Sequence, residues 1–154
     1  TPGPDPSPFT GPYALEVARW FTRIGLPGQV VDWPRFSAWE LEKLTWNAAF
    51  GLLCELHDAD VSTVCDDHMA DLDALVDDLR RTGRAAMNVD LPQAWLVERL
   101  VAYSRSIATY RGAVKEWRWR NGWFVREAVR MGVVTEAHDR LLRAAGHGER
   151  RTRP

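Results

Sequence analysis

Only two cysteines, Cys54 and Cys65, occur in 154 residues, too few for the multi-bridge framework with which small secreted domains compensate for a thin core. An excess of one charge sign is also missing. The formal net charge of −1 gives no general attraction to nucleic acid or to an anionic membrane. The longest mainly apolar run, residues 48–54, is far short of the ~20 residues needed to span a bilayer. No charged-then-apolar leader opens the chain, so a cytoplasmic protein is expected. Internal repeats, sustained heptads and paired strand patterns are lacking too. So is G-x-G-x-x-G: after Gly146 and Gly148 the third place is Arg151, with no strand before it, and no dinucleotide site is expected in this chain. No serine stands on a strand-to-helix elbow, which removes the common hydrolase triad from consideration.

What is present is helical periodicity. At 45% hydrophobic and 27% charged, the composition suits one soluble domain burying about 70% of its unfolded surface. Residues 1–12 hold five of the nine prolines and read as a linker, because proline donates to no ladder and biases its predecessor to extended geometry. The missing initiator methionine there points to a preceding segment. A first helix over residues 13–25 stops at Gly25. Residues 29–36 form a connector interrupted by Pro34, and a second helix starts at Ser37, whose hydroxyl and Glu40 make a capping box. A third runs over residues 62–87, with Gly83 on its apolar side where another helix can approach. A fourth follows Pro92 and carries Leu96, Leu100, Tyr103, Ile107 and Tyr110. After a break near Gly112 a fifth extends to residue 131, and Thr135 caps a last one. Residues 146–154 read as a frayed basic tail. The expectation is an all-α fold of about six helices, with a folded domain over residues 13–145.

Several constellations carry candidate chemistry. Residues 115–124 concentrate three of the eight tryptophans and four formal charges. On a helix, Glu116, Arg120 and Trp123 share one stripe and Trp117, Asn121 and Phe124 the next, so polar groups stand beside an aromatic wall. The simplest reading is an i,i+4 ion pair between Glu116 and Arg120. Lys43 and Asn47 lie at the margin of the second helix's core face, where a lysine ordinarily snorkels. Ser104 falls beside the apolar stripe of the fourth helix, whereas Ser106 falls on a more polar side. Cys54-x-x-His57 and Cys65-x-x-His68 offer zinc-ligand types at i,i+3, but their spacing fits no common finger and the cysteines suit a core, so no metal is expected. The interleaved Arg and Trp of residues 118–123 could stack on bases, yet the acidic third helix offsets them and no nucleic-acid module pattern appears.

Taken together, the stretch Trp39 to Asn47, with Lys43 and Asn47, and Glu116 followed by Asn121-Gly122 resemble the C-terminal domain of the ketopantoate reductase (2-dehydropantoate 2-reductase) family. The resemblance covers residues 14–131. It implies the helical fold of that domain, as in 6-phosphogluconate dehydrogenase-like proteins, and an activity of the pantothenate-biosynthesis type. It further implies an N-terminal Rossmann domain, outside this chain, that carries NADPH, with a small 2-keto acid reduced between the two domains. By the same resemblance Lys43 matches the catalytic lysine, Asn47 its substrate and lysine partner, and Glu116 a substrate-binding glutamate. Ser104 aligns without gaps to the substrate-binding serine, whereas Ser106 would need a two-residue deletion. A second copy of the chain is a further expected partner. The chemistry suits the residue types: hydride arriving at a ketone carbon leaves negative charge on oxygen, which an ammonium can stabilise and protonate.

Two positions depart from the family pattern. Gly51 stands where a second asparagine is usual, and Trp117, Trp119 and Trp123 replace smaller neighbours of the glutamate, so a larger or more aromatic keto acid is expected. A different class of function stays open beside this one: a stand-alone helical module for ligand binding or dimerisation, or a non-redox enzyme that kept the pocket without the cofactor domain. The reading frame upstream of Thr1 separates the two.

Overall fold

The computed structural model of the chain describes residues 6–149, which divide at Glu40 and Leu41 into two compact units. Seven α-helices and one two-stranded sheet occur among the described residues. The all-α class is as expected, and no helix there is long and apolar enough to cross a membrane.

The first unit contains strand β1 (Ser7–Phe9), helix α1 (Ala14–Arg23) and strand β2 (Gly28–Val30). The strands are parallel, with Pro8 opposite Gln29, and a parallel pair needs a crossover, which α1 supplies. The segment expected to be a linker therefore holds a strand. Pro8 is tolerated because the cross-strand bonds come from its neighbours: Ser7 N–H donates to Pro27 O at 2.8 Å and Val31 N–H to Phe9 O at 2.9 Å. Gly28 lies under α1, and a Cβ there would come within 3.0 Å of the Ala18 backbone. α1 closes as a Schellman motif, with Gly25 at φ 81° and Leu26 N–H donating to Phe21 O at 3.0 Å.

Helix α2 (Trp33–His57) starts four residues before the expected Ser37. Asp32 is the reason: its carboxylate accepts from Arg35 N–H at 2.9 Å, and Pro34 sits in the first turn, where no N–H is needed. Ser37 and Glu40 then lie inside the helix rather than at its mouth, and burial pushes the Glu40 carboxyl up.

The second unit is built around the remainder of α2, whose residues 48–54 are buried all round, as a central helix must be. Around it stand α3 (Val61–Asp67), α4 (Met69–Met87), α5 (Gln93–Ser106), a 3₁₀ turn at Trp117–Trp119, α6 (Asn121–Met131) and α7 (Glu136–Ala144). Each meets the unit through a specific contact. Leu41 packs on Gly83 of α4 so closely that a Cβ would come within 2.3 Å of its Cδ1. Trp46 donates its indole N–H to Ser104 of α5 at 2.9 Å. Ala48 O accepts from the Asn121 amide of α6 at 3.2 Å.

Three expectations about helices need correction. The third helix is two, broken at His68 (φ −125°, ψ 28°), where the His68 ring stacks on His57 with centroids 3.6 Å apart. The N-terminus of α3 is capped by Asp60, which accepts from Thr63 N–H at 2.8 Å and whose carboxyl is held below its usual range by the Thr63 bonds. The fourth helix ends at Ser106 rather than Tyr110. The fifth begins only at Asn121, because residues 107–116 form a non-helical strap. Its carbonyls are used elsewhere: Tyr110 O and Ala108 O accept from Val61 and Ser62 N–H at 2.9 and 3.2 Å, satisfying donors that the first turn of α3 leaves orphaned. Thr135 stands at the expected N-cap of α7, but its hydroxyl makes no cap bond to backbone. Of the tail, Gly146–Glu149 is ordered, with His147 buried; residues 150–154 lie outside the described residues.

Candidate functional site

Lys43, Asn47, Gly51 and Glu55 recur every four residues and so form one stripe along α2. Lys43 is exposed and Asn47 half-buried. The Asn47 amide donates to the Lys43 carbonyl at 2.9 Å, fixing its side chain one turn from the lysine. The Lys43 ammonium makes no ion pair among the described residues. A lysine without a partner at the border of a core face is free to meet a ligand.

The strap crosses this stripe. At Gly51 a Cβ would lie 2.8 Å from Ala113 O, and at Gly112 one would lie 2.9 Å from Phe50 O, so two facing glycines let backbone touch backbone. The position where the family pattern has a second asparagine is thus occupied by packing. The strap then runs into Glu116, in the left-handed region at φ 47° and ψ 45°, an uncommon conformation for a side chain with a Cβ. Glu116 is 62% exposed and pairs with Arg120 at 2.9 Å.

That pair was expected, but on a helix. The stripes drawn for residues 116–124 do not form, since residues 117–119 are a 3₁₀ turn and only Asn121 onward is α-helical. Trp119 accordingly points to solvent, 63% exposed, with the Arg118 guanidinium 4.9 Å from its ring centre. Trp117 and Trp123 are half-buried. At Gly122 a Cβ would meet Trp117 O at 2.5 Å, which accounts for the glycine of Asn121-Gly122.

Ser104 is fully buried. Its hydroxyl accepts the Trp46 indole N–H, and burial pushes the Cys65 thiol up. Direct contact between Ser104 and a ligand is closed in this arrangement. Ser106 is exposed and donates to Tyr103 O at 2.6 Å. Burial also raises the Cys54 thiol, so neither cysteine is poised as a thiolate.

Sequence reasoning missed a second polar cluster, closed in on itself. Asn121 Nδ2 lies 3.2 Å from His138 Nε2, His138 N–H donates to Asp78 Oδ2 at 3.0 Å, and Asp78 pairs with Arg81. Asn121, His138 and Asp78 are all buried. An open depression of about 820 Å³ borders this cluster, lined by Asp73, Asp77, Arg81, Gln93, Arg140 and Arg143. Its charges are largely spent on one another: Arg80 and Arg81 hold Asp77, and Arg140 holds Asp71. Burial alone would raise the Asp77 carboxyl, but its bonds to Arg80 and Arg81 hold it below its usual value. The hollow therefore offers little uncommitted charge.

No protein-family model and no curated protein sequence matches the chain. Solved structures do. A 2-dehydropantoate 2-reductase from Methylococcus capsulatus superposes with a TM-score of 0.74 at 20% identity, over 94% of this chain and 49% of its own. D-mandelate dehydrogenase, in its ternary structure with NADH and anilino(oxo)acetate, superposes with a TM-score of 0.73 at 16% identity, over 88% of this chain and 60% of its own. Its complex with NADH gives 0.73 at 17% identity, over 89% and 50%. At these identities the likeness establishes a shared fold. The chain spans between 49% and 60% of the length of these proteins.

Proposed function

We propose that this chain is the substrate-binding and catalytic part of an NAD(P)H-dependent 2-keto acid reductase similar to ketopantoate reductase and D-mandelate dehydrogenase. The observation that carries the reading is the Lys43 ammonium, without an ion pair among the described residues and one turn from Asn47, on an α2 stripe that the strap leading to Glu116 crosses at Gly51. The shared fold with reductases supports it.

The described residues do not themselves fit a dinucleotide. β1 is followed by Thr10-Gly11-Pro12, with a single glycine where a pyrophosphate cradle uses several. A Rossmann domain beyond this chain would hold NADPH and supply the hydride. Within the chain, Lys43 stabilises the negative charge that develops on the ketone oxygen and donates the proton that neutralises it. Asn47, already tied to the Lys43 backbone, orients lysine or substrate through its free carbonyl oxygen. Glu116 leaves Arg120 to accept a substrate hydroxyl, or the two together clamp a substrate bearing both a hydroxyl and a carboxylate. Ser104 acts through Trp46, keeping α2 and α5 in register. The exposed Trp119 offers a stacking surface, which favours an aromatic 2-keto acid over ketopantoate.

NADPH consumption by the natural full-length protein, measured with phenylglyoxylate, ketopantoate and 2-oxobutanoate, tests this. Phenylglyoxylate is expected to give the highest kcat/KM. Turnover of none of the three removes the reductase reading.

A further inference from the structure

The stripe of α2 that carries Lys43 and Asn47 ends at Glu55, and Glu55 is shared between two distant parts of the chain. Its Oε2 accepts from Val114 N–H at 2.7 Å. Its Oε1 lies 2.7 Å from His147 Nε2. His147 belongs to the segment after α7, where Gly146 turns at φ 79° and His147 N–H donates to Leu142 O at 2.7 Å. The imidazole is 11% exposed and its ring centre is 6.1 Å from that of Trp117. A carboxylate can only accept, and here each oxygen is used by a different donor.

We propose that Glu55 and His147 are positioning residues that pin residues 112–116 across the Gly51–Glu55 end of the α2 stripe that begins at Lys43, and thereby set the place of Glu116. This assignment rests on the reductase reading given above. Two contacts fix the strap. The Gly51–Ala113 approach sets its height above α2, and the Glu55 bond to Val114 stops it sliding along the helix. Glu116 follows Val114 by two residues, a reach of at most about 7 Å, so Val114 fixes how the chain enters Glu116, whose carbonyl is tied on the other side by Trp119 and Arg120 N–H. His147 holds the other carboxylate oxygen of Glu55. The C-terminal segment thus contributes to the site without touching substrate.

Amide hydrogen exchange on the 154-residue chain decides the positioning role. Glu55→Ala and His147→Ala are expected to speed exchange at residues 112–117 roughly tenfold while Asn121–Met131 keeps its protection. Glu55→Gln, which still accepts from Val114 N–H, is expected to restore most of it. Unchanged protection of residues 112–117 in both alanine variants overturns the proposal, as does a loss spread evenly through α4 and α6. In the natural full-length protein, His147→Ala is expected to raise KM for phenylglyoxylate roughly tenfold with kcat within about threefold; an unchanged KM overturns it. A wild-type protein that reduces no 2-keto acid removes the reductase reading instead, and the exchange result still decides whether the strap is pinned.

Discussion

Two groups of polar side chains in the second unit differ in one respect that residue type conceals. Asn121, His138, Asp78 and Arg81 form a cluster whose buried groups bond largely to one another, with Asn121 Oδ1 alone of the asparagine's polar atoms accepting from no described group. Lys43 and Asn47 lie on one α2 stripe where the ammonium has no ion pair among the described residues, and Glu116, on the strap, has a mostly exposed carboxylate. Buried polar groups are costly when unmatched, so the first set is held by its own bonds. The second keeps its capacity for something else. An asparagine five residues from a glutamate can therefore be structural while the glutamate is not.

Breaking the closed cluster should have the larger effect on stability. Asn121→Leu removes the donor to Ala48 O and the contact with His138 Nε2, and is expected to cost about 1–3 kcal/mol, read as a lowered midpoint in urea. Asn47→Ala, on the open face, is expected to cost less than about 0.5 kcal/mol. Equal losses would erase the distinction between the two groups. Gly51→Asn sharpens it from another side. Although it introduces the residue usual in the family pattern, it drives a side chain into Ala113 O and is expected to cost about 1–3 kcal/mol by overpacking. Next in size, Ser104→Ala removes the acceptor for the half-buried Trp46 indole and is expected to cost about 1 kcal/mol. A blue shift or quenching of Trp46 emission would report the change.

The smallest effect concerns pH. Burial lowers the His57 pKa, the neighbouring His68 lowers it further, and Asp71 opposes both. Because the folded value lies below the ordinary 6.5, the unfolded chain binds more protons in the window from that value down to the folded pKa. Stability is therefore present above it and falls as pH falls through the window. Thermal melts of wild type and His57→Gln across pH 5–7 check this, with a flatter profile expected for the variant.

Helix ends were legible wherever a local device makes them. Gly25 closes α1 and Gly132, at φ 66°, closes α6, because a left-handed residue is written into the sequence as glycine. What stayed hidden depends on distant partners. Nothing local breaks residues 62–87 at His68; the His57 ring, eleven residues back, stands against it. Nothing local unwinds residues 107–116 either, since that strap is drawn out by the N-terminus of α3 and by Gly51. The site follows the same rule. Lys43 and Asn47, one turn apart on a single helix, were readable from spacing, and so was the Glu116–Arg120 pair. That Ser104 is sealed, that Trp119 is exposed, and that His147 closes on Glu55 are outcomes of tertiary packing.

The 154-residue chain alone is expected neither to bind NADPH tightly nor to reduce a keto acid, so the central claim is tested in the natural full-length protein. There, steady-state reduction of phenylglyoxylate by Lys43→Ala is the most direct measurement. Loss of the proton donor predicts a kcat lowered by roughly 10²–10⁴-fold with an unchanged melting temperature, since Lys43 is exposed and makes no ion pair among the described residues. Turnover near that of the wild type in a folded Lys43→Ala protein would contradict the account.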